Sequence, residues 1–286
     1  MNHSPGFAGA ALVPGMPQLL AGHRASSWEA LAAATTEVGG IIADEAPDAL
    51  LILSTQWFTV LGHQFQMDPR PQGVHVDENW YDFEYGTLRY SFPVDVELTE
   101  EWAAETERSG FQARRTRYEH FPIDTGTIVA QNFLNPGGKI PSALVSCNLY
   151  AAADDLGEIA AAGVRAAESS GKRVFLVAVS GMSSGLTQRW MAPEEDRVEK
   201  HEHQAWDRRM LDLLSDGDLE RALATRERYA SEAQADSQFR ALAFLAGTGR
   251  LTSPARVLAY GPLWGTGGAV VHWPSSFVEN NVRGES

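Results

Sequence analysis

Short apolar runs alternate along this chain with longer amphipathic or alanine-rich stretches, the pattern of strands interleaved with helices. Phe7–Val13 reads as a strand that ends at the loop signal Pro14-Gly15-Met16-Pro17. Ser27 is placed to N-cap a helix running to about Asp44, with Glu29 in its first turn. Buried strands are predicted at Ala49–Ser54 and Trp57–Gly62, and a short one at Leu88–Phe92, before a helix near Thr99–Ser109. Gly126–Leu134 is helical in pattern and stops at Asn135-Pro136-Gly137-Gly138. Ala143–Cys147 and Arg173–Val179 read as strands around an alanine-rich helix from about Asp155 to Ser169. Helices are predicted over Pro193–Leu214, Asp218–Arg226 and Ser231–Leu245, and closing strands at Val257–Tyr260 and Ala269–Trp273. This order implies an α/β fold with a central, mostly parallel or mixed sheet covered by helices on both faces. No Pro/Ser-rich linker divides the chain and no repeat recurs, so the expectation is one domain over residues 1–275 and a flexible polar tail over 276–286.

Composition narrows the classes of function. With 44% hydrophobic residues among 286, the chain can bury a substantial core. The apolar runs Ala8–Val13 and Leu50–Leu53 are too short to span a membrane, and the N-terminus lacks the basic and apolar regions of a signal peptide. The single cysteine, Cys147, ends a strand-like run and reads as a small buried thiol in a reducing, cytoplasmic setting. A net charge of −14 argues against nucleic acid, which is bound through clustered cations. The eight tryptophans are scattered and read mostly as core residues.

Generic chemical motifs are few. In His201-Glu202-His203 the histidines are two apart, so on a helix they face different ways and do not form a zinc motif; a solvated helix face is the expectation. Gly265-Thr266-Gly267-Gly268 lies between strands rather than opening a helix, which favours a tight turn over a dinucleotide site. Gly181-Met182-Ser183-Ser184-Gly185 follows the strand Arg173–Val179 as a nucleophile elbow would, with Asp236 and His272 later in hydrolase order. The segment after it, Leu186–Ala192, runs into Pro193 instead of a long helix, and no upstream oxyanion loop is evident.

Four segments read together are more specific: Phe7–Gln18, Leu53-Ser54-Thr55-Gln56-Trp57, Gly73-Val74-His75-Val76-Asp77-Glu78-Asn79-Trp80-Tyr81, and Phe121-Pro122-Ile123-Asp124-Thr125-Gly126-Thr127. Their order and spacing resemble the class III extradiol dioxygenase family from about Phe7 to Trp273. The resemblance implies that catalytic members hold Fe(II) through two histidines and a glutamate, leaving positions open for substrate and O₂. At the first histidine position this chain has Gly15, with Gln18 where a further histidine often stands, and at the second it has Gln56. The glutamate corresponds to Asp236, or to Glu232 four residues earlier on the same predicted helix face. The acid/base histidine falls near Gly185, and the residue before the glycine of the D-x-G motif is Thr125.

Glycine offers no donor, and a glutamine amide is a weak ligand beside imidazole, so a lone carboxylate does not make a three-ligand site. The resemblance therefore implies a chain with no catalytic residue and no metal or cofactor of its own. Its partner would be a homologous catalytic subunit carrying Fe(II), in a heterodimer or heterotetramer that opens 2-aminophenol- or catechol-like rings. Two alternatives stay open. One is an independently active enzyme, built on Ser183 or on a metal site remade from His75, His120 and Asp124. The other is a module that binds a small aromatic ligand without catalysis.

Overall fold

The computed structural model describes residues 6–22, 26–118 and 121–275, so the tail after Ser275 and His120 lie outside the described residues. Its strands are β1 (Gly6–Val13), β2 (Ala49–Thr59), β3 (His63–Gln66), β4 (Gln72–Val76), β5 (Thr87–Ser91), β6 (Ala113–Thr116), β7 (Ser142–Asn148), β8 (Arg173–Val179), β9 (Arg256–Leu263) and β10 (Thr266–Pro274). Eight of them form one sheet in the order β6-β3-β7-β2-β8-β1-β10-β9, while β4 and β5 pair as a separate ribbon. The central strands β7, β2, β8 and β1 are parallel. The sheet turns antiparallel where β3 meets β7 and where β10 meets β1 and β9. It is therefore mixed, as the alternation of runs implies.

Both faces of the central strands are buried, so their sequences are almost continuously apolar. Alternate residues still divide cleanly. Leu51, Leu53, Val145, Leu176 and Leu12 point toward one core, shared with α3 (Val96–Arg108), α5 (Ala153–Ser169), α6 (His201–Ser215), α7 (Leu219–Ala233) and α8 (Arg240–Gly247). Leu50, Ile52, Phe175, Val177 and Val13 point toward the other, shared with α1 (Ser27–Glu45) and α4 (Thr125–Leu134), and the one-turn α2 (Glu78–Tyr81) follows β4. Trp102 on α3 fills the first core and donates its Nε1–H to Ile159 O at 2.7 Å, which satisfies its only polar group. Trp28, Trp102, Trp206, Trp264 and Trp273 are buried, whereas Trp190 is exposed. Cys147 is buried among these residues, and burial pushes its thiol up to about 12, well away from reactivity. Among the described residues no helix is long and apolar enough to cross a membrane.

Several local expectations need correction. Ser26, not Ser27, caps α1 by accepting from Glu29 N, and the Ser27 hydroxyl instead donates to Pro262 O at 2.7 Å. Ala49–Ser54 and Trp57–Gly62 are not two strands: β2 runs through to Thr59, with a register shift against β7 between Ser54 and Phe58. The helix expected from Pro193 to Leu214 is a 3₁₀ turn at Pro193–Glu195 followed by α6. His203 on α6 is buried rather than solvated, while His201 is exposed, so the two do face different ways. The helix expected over Ser231–Leu245 is broken. Gln234, Ser237, Gln238 and Phe239 all take left-handed φ values, leaving a 3₁₀ turn, Asp236–Phe239, between α7 and α8.

Candidate functional site

A cavity of about 730 Å³ opens beyond the carboxyl ends of β1, β2 and β8. Crevices at this end of a parallel sheet are the usual ligand sites of open α/β folds. Four of the five positions singled out in the sequence, Gly15, Gln56, Thr125 and Asp236, line it, and Gly185 lies between its lining residues Ser184 and Leu186. Each is set in place by its own local structure. Gly15 follows the end of β1, and Gln56 sits in the irregular stretch of β2. Thr125 opens α4, whose N-cap Asp124 accepts from Thr127 N at 2.9 Å and from the Ser54 hydroxyl at 2.6 Å.

The broken helix explains how Asp236 reaches the cavity. Its backbone N donates to Met182 O at 2.8 Å, and Ser184 N donates to Gln234 O at 3.1 Å, so the left-handed segment is stitched to the loop after β8. Asp236 Oδ2 then accepts from the Thr55 hydroxyl at 2.8 Å, Gly181 N at 2.8 Å and the Ser180 hydroxyl at 3.1 Å. Glu232 does not share its face. It stays on α7, where it accepts from Trp206 Nε1 and Arg228 Nε. Of the two carboxylates left open by the sequence, only Asp236 lines the cavity.

At Gly15 and Gln56, where the resemblance implies iron-binding histidines, the residues present do not fit an iron ion. Gly15 offers no donor, and there is no room to give it one: a Cβ there would lie 2.5 Å from Val179 Cγ1 and 2.6 Å from Gly126 Cα. Gln56 donates from Nε2 to Gly15 O at 3.1 Å and so spends its amide on holding the loop. At Gly185 a Cβ would meet Glu199 Cβ at 3.1 Å and Gly265 O at 3.2 Å, too tight for an added ring without a shift of the loop. The Thr125 hydroxyl donates to Asp77 Oδ2 at 2.5 Å. Gln18 is fully buried in the turn Pro17–Ala21, with neither side-chain polar atom hydrogen-bonded among the described residues.

The alternative constellations fare differently. Ser183 is buried, and its hydroxyl donates to Asp207 Oδ2 at 2.7 Å while its N–H donates to Oδ1 at 3.0 Å. Asp207 also accepts from Tyr229 at 2.6 Å and Tyr260 at 2.8 Å. Burial raises its carboxyl above the usual range, and the four hydrogen bonds act against that rise. Ser183 thus anchors a buried carboxylate, and among the described residues no histidine is hydrogen-bonded to it, while His272 lies on β10 stacked against Phe175. This is a structural cluster and not the nucleophile site that the G-x-S-x-G pattern suggested. His75 and Asp124 do line the cavity, but His120, the third member of the remade metal site, is outside the described residues.

The tight turn expected at Gly265 adjoins the cavity, and Trp264 before it lines the wall. Trp264 and Gly265 form the two-residue turn between β9 and β10, both with positive φ, as a primed hairpin turn requires. A bulky residue in that region is strained. Asp196 offsets the strain by accepting from Trp264 N at 2.5 Å and Gly265 N at 2.9 Å, and it also accepts from Trp28 Nε1 at 2.7 Å. The Trp264 ring packs against Trp80 and Phe83, with centroids 5.5 and 5.1 Å away, forming an aromatic wall. Asp77 was visible in a quoted motif, but Asp196 and Asp207 stand in polar stretches with no local signal.

Residues 3–263 match the family described as the catalytic LigB subunit of aromatic ring-opening dioxygenase. The chain is 36% identical over 265 residues to the 2-aminophenol 1,6-dioxygenase alpha subunit of a Pseudomonas species, covering 92% of this chain and 97% of that protein. It is 31% identical over 261 residues to the beta subunit of 2-aminophenol 1,6-dioxygenase, also from a Pseudomonas species, covering 86% and 84% respectively. A crystal structure of an uncharacterized protein from Escherichia coli K12 superposes with a TM-score of 0.64 at 13% identity, over 93% of this chain and 99% of that one, and so shares the fold. A family match over most of the chain, with motifs that converge on one cavity, places this protein in the LigB family of aromatic ring-opening dioxygenase subunits.

Proposed function

We propose that this chain is the non-catalytic, metal-free subunit of a heteromeric extradiol dioxygenase that opens 2-aminophenol- or catechol-like rings. In this reading it pairs with a homologous subunit that holds Fe(II) and carries out the chemistry. The observation that carries the proposal is the closed space at Gly15. The position lacks a ligand, and Val179 and Gly126 occupy the volume a ligand's Cβ would need. A ligand side chain at this position would have to displace both neighbours in a close-packed wall. Likeness to both an alpha and a beta subunit of one ring-cleaving enzyme supports an assembly of two related chains. The role of this chain would be to order the partner's active-site walls, a contribution made by shape alone.

Co-expression with an untagged homologue that keeps both iron histidines tests the pairing. The two chains should co-purify in fixed stoichiometry and cleave 2-aminophenol or catechol, with activity lost when the partner's histidines are replaced. Failure to bind such a homologue, or activity that survives replacement of the partner's histidines, would contradict the proposal.

A further inference from the structure

We propose that the cavity takes a small organic cation, an aryl-alkyl ammonium, where iron-bearing relatives would hold their metal; this rests on the reading that the chain is metal-free. Among the described residues, the ionisable groups lining the cavity are Asp77, Glu78, Asp124, Asp236 and His75, with no lysine or arginine. The three aspartates are half-buried, and Glu78 is exposed. Among the described residues none of the four carboxylates is in an ion pair. Their hydrogen-bond donors are neutral: Thr125 and Asn79 for Asp77, Ser54 and Thr127 N for Asp124, and Thr55, Ser180 and Gly181 N for Asp236. Neutral donors orient a carboxylate without cancelling its charge, so the cavity keeps a negative field that a cation would relieve.

Size and wall chemistry select the kind of cation. About 730 Å³ suits a small organic molecule and is far more than one ion needs. One wall carries Trp80, Phe83 and Trp264, whose mutual edge and tilted packing fixes their positions. Phe58, 60% exposed, also lines the cavity. Aromatic faces attract cations and stack on planar rings, so carboxylates and rings together fit a ligand with an ammonium and an aryl group.

Calorimetric titration of the purified full chain at pH 7.5 tests this with three probes of like shape: phenethylammonium, 2-phenylethanol and phenylacetate. The ammonium should bind about tenfold or more tightly than the alcohol, the carboxylate should not bind, and the preference should weaken with added salt. Asp236→Asn and Asp77→Asn should each weaken ammonium binding about five- to tenfold and leave the alcohol unaffected, in variants shown by melting to be folded. Trp80→Leu should weaken the ammonium more than the alcohol. Equal or tighter binding of the alcohol or phenylacetate, no binding of any probe, or saturable binding of Mg²⁺ or Ca²⁺ alone would overturn the inference. Absent ammonium binding in a chain that still pairs with an iron-bearing homologue overturns this inference alone, whereas iron in the isolated chain overturns the reading beneath it.

Discussion

Gly15→Ala is the smallest change that probes the closed ligand position. Gly15 is not among the glycines with positive φ, so alanine meets no backbone penalty there and the effect is one of space. The new methyl carbon would stand 2.5 Å from Val179 Cγ1 and 2.6 Å from Gly126 Cα, against a normal carbon–carbon contact of about 3.5–4.0 Å. Neither neighbour yields easily. Val179 is 1% exposed at the end of β8, and Gly126 Cα is backbone in the first turn of α4, fixed by the Asp124 cap. Overpacking of this kind costs about 1–3 kcal/mol, and two rigid neighbours put the value near the upper end. At roughly 2–4 °C per kcal/mol, the fall in Tm is about 6–12 °C. Gly40→Ala is the control: Gly40 is exposed on α1 with nothing within 4 Å of an added Cβ, so alanine there should stabilise by about 0.5–1 kcal/mol through helix propensity. Differential scanning fluorimetry reads both, and opposite signs are expected. A Gly15→Ala protein that melts at or above the parent temperature would refute the steric argument. A Gly15→His/Gln56→His double variant that gained stoichiometric iron without losing stability would refute it more strongly.

Three further outcomes concern buried or half-buried polar groups. Ser183→Ala removes one donor from the buried Asp207 carboxylate, so it should cost about 1–2 kcal/mol in chemical denaturation while ring cleavage by the assembled enzyme persists; complete loss of activity in a folded variant would revive a nucleophilic role. Asp196→Ala strands the Trp264, Gly265 and Trp28 donors and should cost about 2–3 kcal/mol, with faster amide exchange at the β9–β10 turn; unchanged exchange there would show that aromatic packing alone holds it. Burial lowers His63 and His272 from 6.5 to about 4, so the unfolded chain takes up their protons first as pH falls. Their contribution to stability is whole above about pH 6.5 and is lost down to about pH 4, up to roughly 3 kcal/mol each. A denaturation midpoint that stays flat between pH 7 and pH 5 would argue against it.

Most of the sheet could be read from the sequence because strands buried on both faces leave near-continuous apolar runs, as at Arg173–Val179 and Ala143–Cys147. Short strands gave no such signal: His63–Gln66 and Ala113–Thr116 are polar segments near one edge of the sheet, paired mostly through backbone. The break between α7 and α8 was hidden for a different reason. Gln234, Ser237, Gln238 and Phe239 are ordinary helix residues in composition, and their left-handed backbone is set by contacts with the loop after β8 rather than by local preference. At the site, the family resemblance pointed to Gly15, Gln56, Thr125 and Asp236, which line one cavity. It did not show that Gly15 is sterically closed, because Val179 and Gly126 reach it from distant parts of the chain. Nor did it expose Asp196 and Asp207, whose partners come from two and three separated segments respectively.

In the proposed function this chain carries no iron and opens no ring by itself. Anaerobic purification of the isolated chain and of its complex with an iron-bearing homologue, followed by elemental analysis and an oxygen-uptake assay, measures both properties on the same samples. Expected are iron far below one per chain and no turnover for the isolated protein, and iron matching the partner's concentration with full turnover for the complex. One iron per isolated chain, removable by chelation together with ring-cleaving activity, would contradict it.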